Sequence, residues 1–335
     1  MSDVPQPMPP LPTPDDVLAA QARLRGRVVH TPMLRHPALD RACGGTVLVK
    51  PEPLQRTGSF KLRGATNAVL RLDPAARAAG VVTYSSGNHG QAVAAACAAV
   101  GARARVLMPA DAPRIKADAT RAWGAEVIAY DRATEDREAL AADLIARTGA
   151  TLVPPFDHPD VIAGQGTLAL ELAADAASAG LALDALLVCC GGGGMIAGCA
   201  LALEATAPAA RAWAIEPADW DDTARSLAAG KRVAARAGGS LLCDALLSPM
   251  PGRLTFAINA PRLAGALSVT DDEALAAMAF AFRHLKVVVE PGGAVALAAL
   301  LSGRFDARDR VVGVVLSGGN VDPAIFARAL ATAPV

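Results

Sequence analysis

Ten consecutive residues, LLVCCGGGGM at positions 186–195, hold the strongest clue to the fold. An apolar run without alternation, at 186–190, is typical of a strand buried on both faces, as in a parallel sheet covered by helices. Four glycines follow at once, and an alanine-rich segment follows them. Glycines at a strand–helix junction let backbone N–H groups converge on an anion at the positive end of the helix dipole. The stretch therefore predicts a buried strand, an anion-binding loop and a helix.

Two other segments repeat this order. The apolar run at 81–84 precedes SSGNHG at 85–90, and the run at 311–316 precedes SGGN at 317–320. Because strands that alternate with helices indicate an α/β fold, we expect open, parallel-type sheets flanked by helices. In such sheets ligands bind beyond the carboxyl ends of strands, so one cleft is expected to collect the three loops. Alanine-rich segments that we predict to be helical lie at 91–100, 137–147, 166–177, 196–205, 272–284 and 294–301.

The composition excludes several classes of protein. Of 335 residues 53% are hydrophobic and 19% charged, which excludes a disordered chain. The 32 Lys and Arg balance 32 Asp and Glu, and only 4% of residues are aromatic, which argues against a nucleic-acid partner. The uncharged stretch at 185–203 has its four glycines in the middle, so we expect no membrane span. The N-terminus lacks the apolar core of a signal peptide, and six cysteines without a C-x-x-C pair predict reduced thiols in a cytoplasmic protein.

Taken singly, the polar segments leave alternatives open. Lys61, within SFKLRGA at 59–65, is either a desolvated nucleophile with a lowered pKa or a surface lysine at a helix start. The SSGNHG loop suits a carboxylate, although His89 can equally be a buried structural histidine, and a Ser–His hydrolase would lack its G-x-S-x-G motif. The glycine run, with Glu216 after the next strand, also fits a loose dinucleotide fingerprint and leaves an NAD-dependent oxidoreductase open.

Taken together, the motifs resemble one known set. Lys61 in SFKLRGA, SSGNHGQ at 85–91, GGGGM at 191–195 and LSGGN at 316–320 are similar to the fold type II pyridoxal-phosphate enzymes, whose architecture is like that of tryptophan synthase β. From about residue 31 to 322 the chain resembles the serine/threonine dehydratase branch. The resemblance implies a lyase that converts L-threonine or L-serine to a 2-oxo acid and ammonia. The alternatives are a 3-hydroxyaspartate dehydratase, a serine racemase with side eliminase activity, and a non-catalytic amino-acid sensor.

The resemblance also implies roles for particular residues. Lys61 would bind pyridoxal phosphate covalently and then act as the base at Cα, while Ser86 would either protonate Cα from the opposite face or bind the substrate carboxylate. The implied cofactor site consists of Phe60, Lys61, Asn88, Gly191, Gly192, Gly193, Gly194, Met195, Glu290, Ser317 and Gly318. The implied substrate-carboxylate loop consists of Ser85, Ser86, Gly87, Asn88 and His89.

Domains, metal and partners follow from the same resemblance. Residues 1–56 and 154–335 would form a large cofactor-binding domain and 57–153 a small substrate-carboxylate domain, with the active site in the cleft between them. The loop with Glu216, the Trp220 carbonyl and Asp222 resembles the divalent-cation site of serine racemase and implies Mg²⁺ or Ca²⁺, a solvated acidic turn being the alternative. The expected partner is a small amino-acid substrate, and the expected assembly is a homodimer or homotetramer.

Two departures from the family pattern leave the substrate's β-substituent open. EPGGA at 290–294 replaces the commoner EPSGA, and LCDALL at 242–247 stands where the family often has IADG. The segment at 130–137 is similar to that of the hydroxyaspartate dehydratases. Arg132 or Arg137 would then bind a second carboxylate, whereas a charge cluster at a helix start is the simpler interpretation.

Overall fold

Two parallel sheets organise the computed structural model, which describes residues 8–332 except 86, 113, 132 and 237. A five-stranded sheet has the order β1-β9-β6-β7-β8, and a four-stranded sheet has the order β4-β3-β2-β5. The strand pairs are parallel in both sheets, which confirms the predicted α/β class. The strands are β1 (Thr46–Pro51), β2 (Val81–Tyr84), β3 (Ala104–Pro109), β4 (Glu126–Tyr130), β5 (Thr151–Leu152), β6 (Ala185–Cys189), β7 (Arg211–Pro217), β8 (Gly265–Val269) and β9 (Val311–Leu316).

Helices connect and cover these strands. None of those in the described ranges combines the length and apolarity of a membrane span. The strands of the four-stranded sheet fall between residues 81 and 152, inside the segment for which a small domain is proposed. The helices are α1 (Pro14–Leu24), α2 (Pro37–Cys43), α3 (Lys61–Leu70), α4 (Pro74–Ala79), α5 (Asn88–Ala98), α6 (Arg114–Ala122), α7 (Arg137–Thr148), α8 (Pro159–Ser178), α9 (Gly194–Thr206), α10 (Asp222–Ala229), α11 (Arg253–Asn259), α12 (Asp271–Phe280), α13 (Pro291–Leu301) and α14 (Pro323–Leu330).

Helix α8 begins seven residues earlier than the sequence predicted, at Pro159 rather than at 166. His158 caps the helix with its ring nitrogen, and proline is well suited to the first helical position, where no N–H is needed. Two glycines in its first half also weakened the helical pattern. Both lie at helix crossings: a Cβ on Gly164 would lie 2.6 Å from the Cα of Gly64 in α3, and one on Gly166 would lie 2.4 Å from the carbonyl oxygen of Gly198 in α9.

These crossings fix two helix starts relative to each other. Helix α3 begins at Lys61 and α9 begins at Gly194, and α8 packs against both of them at backbone contact distance. A side chain at either crossing would push the helices apart, because packed interiors have little room to yield. The spacing between the lysine and the glycine run therefore depends on α8.

Four charged side chains are buried where α3 packs against α8 and the end of β1. The Arg63 guanidinium donates to both carboxylate oxygens of Glu52, at 2.8 Å each, and to both oxygens of Glu171, at 2.7 and 2.8 Å. Lys50 Nζ lies 2.7 Å from Glu171 and donates to the carbonyl of Thr31 at 2.6 Å. Two positive charges thus compensate two negative charges in the interior, and they tie α3 to β1 and α8.

We predict that Arg63→Met lowers the free energy of unfolding by about 3–5 kcal/mol, because it leaves the Glu52 and Glu171 carboxylates without their main donor in a buried place. Urea unfolding followed by circular dichroism measures this change. Arg147→Met, which breaks an exposed pair with Asp143, serves as the matched control and should not shift the curve. Equal unfolding midpoints for the two variants would contradict the structural role of the charge cluster.

Candidate active site

The three loops that follow β2, β6 and β9 meet in one cavity between the carboxyl ends of the two sheets. Nearly all the residues predicted to bind the cofactor border it; Gly318 does not, but it lies against Glu290 and Asn88, which do. Ser86 lies outside the described residues, as does Arg132. The predicted residues that border the cavity are Phe60, Lys61, Ser85, Gly87, Asn88, His89, Gly191, Gly192, Gly193, Gly194, Met195, Glu290 and Ser317.

Lys61 is the first residue of α3, and its amine points away from bulk solvent. Nζ donates to the carbonyl of Pro155 at 2.6 Å and lies 5.1 Å from the centre of the Phe60 ring. Part of the side chain borders the cavity, but desolvation of the amine lowers its pKa to about 8, against a smaller opposing effect of Glu290. Near neutral pH an appreciable fraction of the amine is therefore unprotonated and nucleophilic. The alternative of an exposed surface lysine does not hold.

Residues 85–89, here called the carboxylate loop after their predicted role, lead into the N-terminus of α5. Gly87 is the N-cap of that helix, and the first backbone N–H groups of a helix have no intrahelical partner, as an anion site requires. The imidazole of His89 is buried, with Nε2 2.9 Å from the carbonyl of Val153, so Nε2 carries the proton. Burial, with the charge of Lys61, lowers the pKa of His89 to about 3 and keeps the ring neutral. His89 is therefore a buried, neutral histidine, and its backbone rather than its imidazole is available to contact a ligand of the loop.

A chain of side-chain hydrogen bonds orients Asn88. Its Nδ2 donates to Glu290 Oε1 at 2.6 Å, and its Oδ1 accepts from Asn320 Nδ2 at 2.7 Å. Asn320 also donates to the carbonyl of Thr57 at 2.9 Å. Burial, assisted by the negative charge of Asp244, raises the pKa of Glu290 to about 7. Sequence reasoning overlooked Asn320, although it is the last residue of the SGGN motif.

The glycine loop, residues 191–194, forms a concave surface of backbone atoms. Gly193 has a φ of 87°, which favours glycine, and a Cβ on Gly192 would lie 2.5 Å from the ring of Phe156. Thr255 donates to the carbonyl of Gly192 at 2.7 Å and Asn259 donates to the carbonyl of Gly193 at 3.3 Å. With these carbonyls engaged, the loop and the start of α9 present N–H groups, as a phosphate site requires.

Ser317 directly follows β9 and is hydrogen-bonded to Phe60, the residue before Lys61. Its carbonyl accepts the N–H of Phe60 at 3.0 Å, and its own N–H donates to the carbonyl of Gly293 at 3.2 Å. Gly318 forms an isolated antiparallel bridge with Ser59. The strand end and the residues that precede Lys61 are therefore joined through their backbones, which sets the distance between the serine and the lysine.

The residues predicted to bind a metal lie apart from this cavity, at the end of β7. Both oxygens of Glu216 accept backbone N–H groups, from Thr223 at 2.8 Å and Ala224 at 2.9 Å. Asp222 is fully buried, and neither of its carboxylate oxygens has a partner among the described residues. Desolvation raises the pKa of Glu216 to about 8 and that of Asp222 to about 7.

These contacts test two earlier alternatives. Asp222 is not part of a solvated turn, and its unpartnered carboxylate suits a cation. Within the described ranges, however, no group of three or more His, Cys, Asp or Glu could hold a metal, so carbonyls and water would have to complete the shell. Because Glu216 is buried as a helix cap, it is also unavailable to a ribose, which removes the support for a dinucleotide site.

The chain is similar to known proteins over more than nine tenths of its length. A family profile described as "Pyridoxal-phosphate dependent enzyme" matches residues 24–318. An L-threo-3-hydroxyaspartate ammonia-lyase from a Pseudomonas species is 44% identical over 307 residues, 92% of this chain and 95% of that protein. The serine racemase of Schizosaccharomyces pombe is 39% identical over 312 residues, 93% of this chain and 95% of that protein. The crystal structure of a T.th. threonine deaminase has a TM-score of 0.87 at 41% identity, covering 93% of this chain and 99% of that chain.

The chain therefore belongs to the family of pyridoxal-phosphate-dependent enzymes. More particularly, it belongs to the fold type II serine/threonine dehydratase branch, in which dehydratases and ammonia-lyases are grouped. The dependence on pyridoxal phosphate and the recognition of the branch from its motifs are both confirmed. An NAD-dependent oxidoreductase is not the correct interpretation of the glycine loop.

We predict that protein freed of cofactor reacts covalently with added pyridoxal phosphate at a rate that rises with pH and levels off above about 8, because only the neutral Lys61 amine attacks the aldehyde. An ordinary lysine, with a pKa of 10.5, would still be gaining rate well above that pH. Stopped-flow absorbance of the bound cofactor measures the profile. Lys61→Ala should gain no covalent band, whereas Lys231→Ala, at an exposed site, should match the parent protein. A midpoint near that of an exposed lysine would contradict the burial of the amine.

Proposed function

We propose that this enzyme removes the β-hydroxyl of a β-hydroxy amino acid as water, with 3-hydroxyaspartate as its preferred substrate. Loss of the Cα proton and the hydroxyl leaves an enamine, which tautomerises to an imine and takes up water to give a 2-oxo acid and ammonia. The observation that carries the choice of substrate is a cation at the mouth of the cavity, Arg137. L-Threonine and L-serine are the second candidates, supported by the likeness to threonine deaminase.

The cavity fits pyridoxal phosphate. The glycine loop, in which a Cβ at 192 would meet Phe156, would bind the phosphate, and Lys61 would bind the aldehyde carbon covalently. Asn88, held by Glu290 and Asn320, would donate to the phenolic oxygen of the cofactor, while the Ser317 hydroxyl would face its ring nitrogen. A serine is a poor proton source for that nitrogen, which favours prompt departure of a β leaving group. When bound, the cofactor supplies a sink for the electrons of the Cα–H bond.

The chain's own residues would bind and deprotonate the substrate. The N–H groups at the start of α5, with Ser85, would bind the α-carboxylate. Lys61, once released from the cofactor, would take the Cα proton, since its lowered pKa makes it an effective base near neutral pH. The carbonyl of Pro155, 2.6 Å from Nζ, would then accept a hydrogen bond from the resulting ammonium.

Arg137 would bind a second carboxylate. It is the first residue of α7, it borders the cavity, and its guanidinium stacks 4.9 Å from the centre of the Tyr84 ring. In the described part of the chain no carboxylate pairs with it, so its planar fork is free for a bidentate contact. Threonine and serine have no second carboxylate to bind the Arg137 guanidinium, whereas 3-hydroxyaspartate has a β-carboxylate. The 44% identity to a protein named for L-threo-3-hydroxyaspartate supports the same choice.

Ammonia release from L-serine, L-threonine and both diastereomers of 3-hydroxyaspartate tests the proposal. We expect a hydroxyaspartate diastereomer to have the highest kcat/KM, and Arg137→Gln to lower that value by about tenfold or more relative to threonine, the scale of one lost charge-assisted contact. Arg147→Gln, an exposed arginine on the same helix, is the matched control. Higher kcat/KM for threonine in the parent enzyme would favour the second candidate, and binding without ammonia release would indicate a sensor.

We also propose that Asp222 and Glu216, with the carbonyl of Trp220, hold Mg²⁺ or Ca²⁺ with a structural role. Asp222→Asn removes the unpartnered buried charge that would attract the ion. We expect a saturating cation to raise the unfolding temperature of the parent protein but not that of Asp222→Asn, since a ligand at one hundred times its dissociation constant adds about 2.7 kcal/mol. Differential scanning fluorimetry with cation and with chelator measures the difference. Identical shifts in both proteins would place the ion elsewhere.

The proposed racemase side activity depends on Ser86, which lies outside the described residues and stays a prediction. The domain bounds and the oligomeric state likewise stay predictions.

A further inference from the structure

An ion pair crosses the mouth of the active-site cavity. Lys116, in α6, pairs with the carboxylate of Asp244, at the start of the 3-10 turn Asp244–Leu246, and both side chains border the cavity. Helix α6 packs beside the four-stranded sheet, whereas the turn lies against α13, which covers the five-stranded sheet. The pair therefore joins the elements around one sheet to those around the other.

The same lysine lies close to the carboxylate loop. A Cβ on Gly87 would lie 4.0 Å from Lys116 Nζ, so the ammonium stands next to the place proposed for the substrate. The Lys116 side chain is 15% exposed and that of Asp244 is 46% exposed. Charges at this depth act on a bound ligand through partial solvent screening, more strongly than freely exposed charges would.

The charges at the mouth have opposing effects on an acidic substrate. Lys116 and Arg137 would attract a β-carboxylate, whereas Asp244 would repel it. The influence of the pair already reaches the cavity interior: Asp244 acts to raise the pKa of Glu290, and Lys116 acts to lower it. As long as Lys116 is paired with Asp244, the two charges largely cancel, and Arg137 decides the preference.

We propose that the Lys116–Asp244 pair sets the discrimination between amino acids that carry a second carboxylate and those that do not. Lys116 neutralises Asp244 and so admits a β-carboxylate beside Arg137. Asp244 in turn pairs with the Lys116 ammonium, which would otherwise bind any dicarboxylate tightly. This inference rests on the proposed function, because it concerns the substrate class of the same site.

The experiment measures the dissociation constants of L-aspartate and L-alanine in the holoenzyme, from the change in cofactor absorbance. Neither ligand has a β leaving group, so binding is observed without elimination. The variants are Lys116→Gln, Asp244→Asn and the double variant, and Lys231→Gln is a control with an exposed lysine outside the cavity. The readout is the ratio of the two dissociation constants, which a general loosening of the cleft would not change.

We expect Lys116→Gln to weaken L-aspartate about fivefold relative to L-alanine, because an unpaired Asp244 then faces the β-carboxylate. Asp244→Asn should strengthen L-aspartate by a similar factor, since Lys116 is released, and the double variant should lie between the two. Equal ratios in all the variants, or parallel weakening of both ligands, would overturn the proposal. The outcome is independent of turnover: a parent enzyme that releases ammonia only from threonine would refute the substrate proposed above, yet the aspartate-to-alanine ratio would still respond to the pair.

Discussion

The desolvated amine of Lys61 is the constraint on which the rest of the structure depends. Desolvation lowers the pKa of this amine to about 8, so it loses its proton more readily than an ordinary lysine does. The carbonyl of Pro155 accepts a hydrogen bond from its Nζ. Such an amine is useful only if its position is fixed. Two residues further along the same helix, Arg63 is held by four hydrogen bonds to two buried carboxylates, so α3 can neither rotate nor slide without breaking them.

The geometry of the site extends from that helix through close backbone contacts. Helix α8 meets α3 at Gly164 and α9 at Gly166, so the start of α3 and the glycine loop keep a set spacing. The hydrogen bond from the Phe60 N–H to the Ser317 carbonyl likewise fixes the spacing between the start of α3 and the end of β9. The parallel arrangement of both sheets then brings the remaining loops to one edge, which is the usual place for ligands in open α/β folds. In our proposal the scaffold positions the cofactor, whereas the charged side chains that border the cavity set the substrate preference.

Most of the strands that position the site, and the polar loops that follow them, were predictable from the sequence. The strands at 81–84 and 311–316 were predicted with their observed bounds, because short apolar runs rich in β-branched residues and followed by glycine-rich loops are typical of strands buried on both faces. The polar loops were recognisable because each follows such a run. The start of α8 was not predictable, because Gly164 and Gly166 have a low helix propensity and are needed for the close contacts with α3 and α9. The buried charge cluster, the Thr255 and Asn259 contacts and the Lys116–Asp244 pair join residues far apart in the chain, and Lys116 and Asp244 are separated by 128 positions. Local patterns do not reveal such pairings.

The most direct test of the role of Lys61 is to locate the covalent bond between protein and cofactor. The holoenzyme is reduced with borohydride, digested, and mapped by mass spectrometry for the peptide that carries the added mass of the reduced cofactor. We predict that this mass lies on Lys61 alone. Attachment to another lysine, or complete loss of the cofactor from reduced protein, would contradict it.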